Sequence, residues 1–176
     1  EHTLPLTLAS IFTQDYENME LIIVDGASSD GTLNIVRENE HRIDLWVSEP
    51  DSGPYDAMNK AALLARGEWI IFLNTGDSFA LNDVLRQVLK DVPGSADIVY
   101  GHHYYRQLDG NDFWHRANDF GWTCEALRSG HLSDSWVKGV PCHQATLTRT
   151  TLLRAYPYNT ERFSYAADHD FLFKME

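Results

Sequence analysis

Carboxylates that follow directly on apolar runs are the first candidates for chemistry in this chain. Trp69-Ile70-Ile71-Phe72-Leu73 is bounded by Gly67 and Gly76 and passes abruptly into Asn74-Thr75-Gly76-Asp77. A short, continuous apolar run of this kind reads as a strand buried on both faces. The carboxyl end of such a strand is where open α/β sheets bind ligands. Asp77 stands there as a ligand for a hard divalent cation, Mg²⁺ or Mn²⁺, of the kind that bridges to substrate phosphates. The same residues also read as a plain turn, with Asp77 or Ser78 capping a following helix. Glu20 to Asp25 repeats the pattern of an apolar, β-branched run closed by an acid. Asp25 could accept N–H bonds from a nucleobase, and the small residues Gly26, Ala27, Ser28 and Ser29 would let a ligand approach the backbone closely. The competing reading gives Asp25 a loop-capping role; for Asp30, a helix cap is the preferred reading.

Gly53-Pro54-Tyr55-Asp56-Ala57-Met58-Asn59-Lys60 adds a third set. Asp56 falls in the first turn of a helix, where the dipole favours an acid whatever its function. Asn59 lies about one turn later on roughly the same face, so the two could line the crevice together. Pro141-Cys142-His143-Gln144-Ala145 juxtaposes Cys and His, but no second pair stands at zinc-ligand spacing. His102 and His103 are sent to opposite faces by strand alternation, so at most one of them faces a crevice.

Those residues must be positioned by elements, and the sequence predicts them in order. A helix spans Leu4 to Thr13, a strand Glu20 to Asp25, and a helix Leu33 to Glu40 with Ser29 or Asp30 as its cap. A strand follows over Ile43 to Val47, a helix over Pro54 to Ala65, the Trp69–Leu73 strand, a helix over Leu81 to Leu89, and a strand over Asp97 to Tyr100. Strands alternating with helices at this spacing predict a doubly wound, mostly parallel α/β sheet with helices on both faces. Beyond residue 101 the pattern is irregular: His102 to Tyr105 continues a strand, and Phe113 to His115 pairs with it. Trp114, Trp122 and Trp136 lie in this region, either to stack on a sugar or to pack in the core.

With 176 residues, 43% hydrophobic and 12% aromatic, the chain is long enough for one globular domain with a proper core. Its net charge of −12 argues against a nucleic-acid partner. The two cysteines, Cys124 and Cys142, make no disulfide framework, and a reduced, cytoplasmic setting is expected. No apolar run reaches membrane-spanning length, which leaves peripheral contact at the inner membrane face open.

Taken in order, the Glu20–Thr32, Gly53–Ala61 and Trp69–Asp77 stretches, followed by Ala166-Ala167-Asp168-His169-Asp170-Phe171, resemble a family 2 glycosyltransferase with the GT-A fold, of the bacterial polysaccharide-biosynthesis type. The resemblance covers nearly the whole chain. It implies a single domain, with a nucleotide-binding half over about residues 1–100 and an acceptor-side half over about 101–176. It implies a UDP- or GDP-sugar donor, a glycan or lipid-linked acceptor, and inversion at the anomeric carbon by single displacement. By the same resemblance Asp25 binds the base of the nucleotide with Asp56, Ser28 and Asn59 nearby, and Asp77 is the last acid of an Asp-x-Asp type metal motif. Asp168 stands as the catalytic base, and His143 and Gln144 belong to the acceptor or diphosphate side; a His satisfied by backbone at a strand start is the competing reading.

The chain departs from the family pattern in three ways. The family's first strand, which precedes the Leu4–Thr13 helix, is absent, and with both ends falling at helical patterns this implies a fragment. Gly76 stands where the family often carries another acid. Ala167 replaces the Glu of the Glu-Asp motif, which makes Asp170 a rival base. Two other classes share these features: a degenerate sugar-nucleotide-binding or scaffold domain, and a sugar-1-phosphate nucleotidyltransferase. The latter would be expected to open with a Gly-rich basic loop, and none is visible.

Overall fold

The computed structural model describes residues 1–106, 111–117, 120–129 and 140–175. Helix α1 (Leu4–Phe12) leads to strand β1 (Ile22–Asp25) and helix α2 (Thr32–Glu38), which ends in a 3₁₀ turn at Glu40–Arg42. Strand β2 (Leu45–Ser48), helix α3 (Pro54–Leu64), strand β3 (Trp69–Ile71), helix α4 (Val84–Lys90) and strand β4 (Ile98–Tyr100) follow. Then come strands β5 (His103–Arg106) and β6 (Asp112–His115), helix α5 (Phe120–Arg128), a 3₁₀ turn at His143–Ala145, strand β7 (Thr146–Arg149), and helices α6 (Thr150–Ala155) and α7 (Ala167–Met175).

Parallel β1 and β2 pair from Ile22↔Leu45 to Asp25↔Ser48. A second sheet runs β3-β7-β4, with β7 antiparallel to both neighbours. The α/β architecture predicted from the alternation is therefore present, and the structure adds one reversed strand to it. Hydrogen bonding divides the β-structure: the facing edges of β1 and β3 are separated by a groove of about 940 Å³ lined by Ile22, Val24, Ile70, Ile71 and Phe72.

Strand alternation explains why helices cover opposite faces. Ile23 of β1 packs with Leu4 and Leu8 of α1 and with Val36 of α2, which is fully buried. Ile70 and Phe72 pack on the other core, formed by Met58 and Ala62 of α3, Leu153 of α6, and Ala167, Phe171 and Leu172 of α7. Pro54 opens α3 directly after Gly53, whose φ of 117° is a conformation glycine adopts without cost.

Several element boundaries differ from the sequence reading. Strand β3 ends at Ile71, because β7 pairs only as far as Trp69↔Arg149 to Ile71↔Leu147. Helix α4 begins at Val84, after turns over the residues predicted to open it, so neither Asp77 nor Ser78 caps a helix. The cap position of α2 is Gly31, while Asp30 Oδ1 accepts the Thr32 N–H at 3.0 Å from just outside it. His103–Arg106 does not prolong β4. It forms a separate hairpin with β6, as the predicted pairing with Phe113–His115 requires, from His103↔His115 to Arg106↔Asp112. Trp114 and Trp122 are exposed, and Trp136 lies outside the described residues. No helix among the described residues is long and apolar enough to cross a membrane.

Candidate active site

Asp25 closes β1 and is buried. Its Oδ2 accepts the Ser28 N–H at 2.9 Å and the Ser48 hydroxyl at 2.7 Å, the latter delivered by the adjacent strand β2. Burial works against ionisation, but the hydrogen bonds from Ser28 and Ser48 outweigh it and hold the carboxyl below its usual range. A fixed, buried carboxylate therefore ends the strand, with Ser28 beside it. A Cβ at Gly26 would lie 2.6 Å from Asp51 Oδ2, so any larger residue there would have to displace the Asp51 carboxylate.

The start of α3 carries two different kinds of residue. Asp56 Oδ2 accepts the Ser52 N–H at 3.0 Å and lies 3.6 Å from Lys60 Nζ, contacts that organise the entry to the helix. Asn59 commits its side-chain amide to Tyr158, donating to its carbonyl and accepting its N–H, both at 2.9 Å. Tyr55 instead reaches across the molecule, and its hydroxyl donates to Asp168 Oδ1 at 2.6 Å.

At the end of β3, Asp77 N–H donates to the Asn74 carbonyl at 2.9 Å and closes the turn. Asn74 points at the other half of the molecule, with its Nδ2 at 3.2 Å from His143 Nε2. His143 Nδ1 lies 3.0 Å from Asp168 Oδ2. The carboxylate can only accept, so Nδ1 carries the proton of that contact, and Nε2 is left to accept from the Asn74 amide. The result is a continuous chain from Asn74 through His143 and Asp168 to Tyr55. The partners are separated by 69, 25 and 113 positions in sequence.

Asp168 is only 6% exposed. Burial opposes its charge, but the hydrogen bonds from His143 and Tyr55, with the nearby His169 and His143 rings, lower its pKa to about 2. The same pairing with a carboxylate, after burial, drives the Tyr55 hydroxyl upward, so it stays protonated and remains a donor. Next to His143, the Cys142 thiol is raised first by burial and then by the charges of Asp77 and Asp168, so both acids act on this one corner. Its hydrogen goes to Gln144 Oε1 at 2.7 Å. A raised thiol pKa is the opposite of what a nucleophilic cysteine needs.

Asp168 and His143 lie on the floor of a cavity of about 840 Å³, with Tyr55 beside them and the β5–β6 hairpin as a wall. Asp170 does not share it. It ion-pairs with Lys174 and lines a different cavity with Asn59 and Tyr158. Two residues along a helix is a rotation of about 200°, which puts the rival acids on opposite sides of α7. The structure thus brings together Asp168 and His143, with Asp77 joined to them through the Asn74 turn. It keeps Asp25 with Ser28 in a separate corner and turns Asn59 and Asp170 elsewhere.

The chain matches the model for Glycosyl transferase family 2 over residues 1–156. The chain belongs to glycosyl transferase family 2. It is 34% identical over 174 residues to a PGL/p-HBAD biosynthesis glycosyltransferase of Mycobacterium bovis, a match covering 96% of this chain and 62% of that protein. It is 31% identical over 104 residues to the Escherichia coli UDP-Glc:alpha-D-GlcNAc-diphosphoundecaprenol beta-1,3-glucosyltransferase WfgD, covering 58% of this chain and 41% of that one. Among solved structures it resembles Staphylococcus aureus TarS 1–349 in complex with UDP, with a TM-score of 0.62, 21% identity, and coverage of 97% of this chain and 50% of that one. It also resembles the Pyrobaculum calidifontis mannosyltransferase PcManGT in complex with GDP-Man and Mn²⁺, with a TM-score of 0.63, 22% identity, and coverage of 91% and 44%. These likenesses show the fold, which is GT-A. The chain spans 62% of the length of its mycobacterial relative and 41% of WfgD.

Two of the departures of this family 2 domain from the family pattern, Gly76 and Ala167, have a physical setting. Gly76 sits at φ 106°, where any acid would strain the backbone, while its N–H is held by the Thr7 hydroxyl at 2.9 Å. Ala167 has no exposed surface and packs in the core with Phe171 and Leu172, so a glutamate there would bury a charge. Ala27 and Ala166, the non-glycine residues of positive φ among those described, stand two positions after Asp25 and two before Asp168. Backbone strain of this kind gathers at functional sites. Neither Tyr55 nor Asn74 is singled out by sequence reasoning. Both stand within the motifs, but no spacing rule links them to Asp168 or His143.

Proposed function

We propose that this domain transfers a sugar from a nucleoside-diphosphate sugar to a hydroxyl of a glycan or lipid-linked glycan, inverting the anomeric centre. The observation that carries the reading is the ionised Asp168 carboxylate on the cavity floor, held from both sides by Tyr55 and His143. A group that can only accept, aimed into a cavity and fixed in rotamer, is suited to take the acceptor's proton. As the acceptor oxygen bonds to the anomeric carbon, the bond from that carbon to the diphosphate oxygen breaks, and the hydroxyl proton passes to Asp168. One displacement needs no carboxylate nucleophile. Asp168 has a low affinity for protons, so the transfer must accompany bond formation rather than precede it.

Asp25 and Ser28 serve the donor base in this reading, with Asp56 near the same side and His143 and Gln144 toward the diphosphate and acceptor. No cluster of three or more metal-ligating residues occurs among the described residues. A single half-exposed carboxylate at Asp77 fits a hard cation that takes its other ligands from diphosphate oxygens and water, as Mg²⁺ and Mn²⁺ do. Such an ion supplies neutralisation of the charge developing on the leaving diphosphate.

The UDP bound to TarS, the GDP-Man bound to PcManGT and the UDP-Glc in the name of WfgD support a UDP- or GDP-sugar, and the diphosphoundecaprenol-linked GlcNAc in the name of WfgD supports a lipid-linked glycan acceptor. The intact Asp168 arrangement favours this over a degenerate scaffold, and family membership favours it over a nucleotidyltransferase. Calorimetric titration of the full-length protein with UDP and GDP, with and without Mn²⁺, is the test. One nucleotide should bind in a metal-dependent way, and Asp77→Ala should weaken it at least about tenfold. Failure of both nucleotides to bind folded protein would overturn the reading.

A further inference from the structure

The β5–β6 hairpin stands over the Asp168 cavity, and its register sorts its side chains. The pairs His103↔His115 and Tyr105↔Phe113 fall on one face, and Tyr104↔Trp114 and Arg106↔Asp112 on the other. The first face is made entirely of rings, and all four of its residues, together with Trp114 from the second face, line the cavity that Asp168 and His143 also line. His103 and His115 stack at 4.9 Å between centroids and 11° between planes. Burial, and then the neighbouring His115, holds His103 below its ordinary pKa.

These rings are not core. Tyr105 and Phe113 remain 62% and 50% exposed and are absent from both hydrophobic clusters. A flat aromatic wall above a floor of hydrogen-bonding groups is a two-sided environment. One side takes an apolar surface and the other takes hydroxyls. A hydrocarbon chain would satisfy the wall but waste the floor; a pyranose ring fits both. Its axial C–H bonds, positive at hydrogen, meet the negative faces of the rings, while its hydroxyl edge turns to Asp168. About 840 Å³ is room enough for more than one such ring.

We propose that the Tyr105 and Phe113 face of this hairpin is the stacking platform for a pyranose ring of the acceptor. This rests on the transferase reading above. It adds that the ring next to the reacting hydroxyl is a sugar, gripped through its face, and that Tyr105 and Phe113 select it.

The test uses the full-length protein and saturation-transfer NMR with methyl β-D-glucopyranoside, methyl β-D-galactopyranoside, methyl α-D-mannopyranoside and, as an aryl control, 4-methoxyphenol. At least one pyranoside should receive saturation at its axial C–H positions. Tyr105→Ala and Phe113→Ala should each cut that signal about threefold to tenfold, the range one aromatic contact supplies. Tyr105→Phe should retain it, and Tyr104→Ala, on the opposite face, should leave it within about twofold. Both positions are exposed, and nucleotide titration of the same samples checks that the variants fold, since UDP or GDP affinity should be unchanged. Saturation of 4-methoxyphenol alone, of no probe at all, or equal loss in Tyr104→Ala and Tyr105→Ala would overturn the platform. Loss of nucleotide binding in the wild-type protein would instead overturn the transferase reading, so the two failures are separable.

Discussion

The two halves of this domain build their carboxylate sites by different means. At the end of β1, Asp25 is held by Ser28, three positions away, and by Ser48 on the neighbouring parallel strand. That site is almost a property of one βα unit and its partner strand. At the start of α7, Asp168 is held by Tyr55 from α3 and by His143 from the turn before β7, and His143 is held by Asn74 from the end of β3. No two of these residues share an element. A local site tolerates rearrangement of the rest of the fold, whereas the Asp168 site exists only when α3, β3, β7 and α7 are docked together.

The largest effect should come from the centre of the second site. Asp168→Asn should lower glycosyl transfer by about 10²- to 10⁴-fold, as loss of a general base does, with nucleotide affinity measured by calorimetry unchanged. Asp170→Asn should leave the rate within about twofold, since its partner is Lys174 on the outer side of α7. Equal losses in the two variants would break the contrast drawn here between the acids.

Tyr55→Phe should act next most strongly. It removes the donor at 2.6 Å from Asp168 while keeping the ring against Tyr158, at 5.3 Å between centroids. The expected loss in kcat is about tenfold, the weight of one hydrogen bond to a charged group, and the acid limb of the pH–rate profile should move up as Asp168 loses a stabilising donor. Ser48→Ala at Asp25 should show its effect in nucleotide affinity and leave kcat unchanged, which sharpens the division between the halves.

Acid stability offers a smaller, thermodynamic form of the same comparison. The folded pKa of Asp168, about 2, lies below the ordinary value of 3.8. Its contribution to stability is therefore complete above the ordinary carboxylate range and is lost as pH falls through the folded value. In urea titrations followed by circular dichroism, the deficit of Asp168→Asn relative to wild type should shrink between about pH 5 and pH 2. The smallest effect belongs to Gly76→Ala. The added Cβ would meet Thr3 only at an ordinary 3.7 Å, so the cost is that of a φ of 106° alone, about 1 kcal/mol in the same assay.

The degree to which each half was legible follows from the range of its interactions. The apolar runs ending in Asp25 and Asp77 and the Pro54 helix start are local signals, and the elements formed within a few residues of their predicted bounds. Helix α4 formed later than predicted, because periodicity does not reveal that residues 81–83 bend and turn before the helix starts. The hairpin was legible as a pairing, since Tyr and His alternate with aromatic partners, but not as a unit detached from β4. The reversed strand β7 left a weaker trace, because Thr146-Leu147-Thr148-Arg149 is short and mostly polar and becomes a strand only by filling the space between β3 and β4.

The amino-acid sequence alone determined the α/β class, the order of the motifs, and the acids at strand and helix ends, since each depends on periodicity and spacing along one stretch. Only the tertiary structure separated Asp168 from Asp170 into different cavities, because helical neighbours two positions apart are equivalent in sequence and opposite in space. It also enlisted Tyr55 and Asn74 and joined His143 to Asp168. Hydrogen bonds between residues 25 to 113 positions apart are set by the docking of whole elements, and no local pattern encodes them.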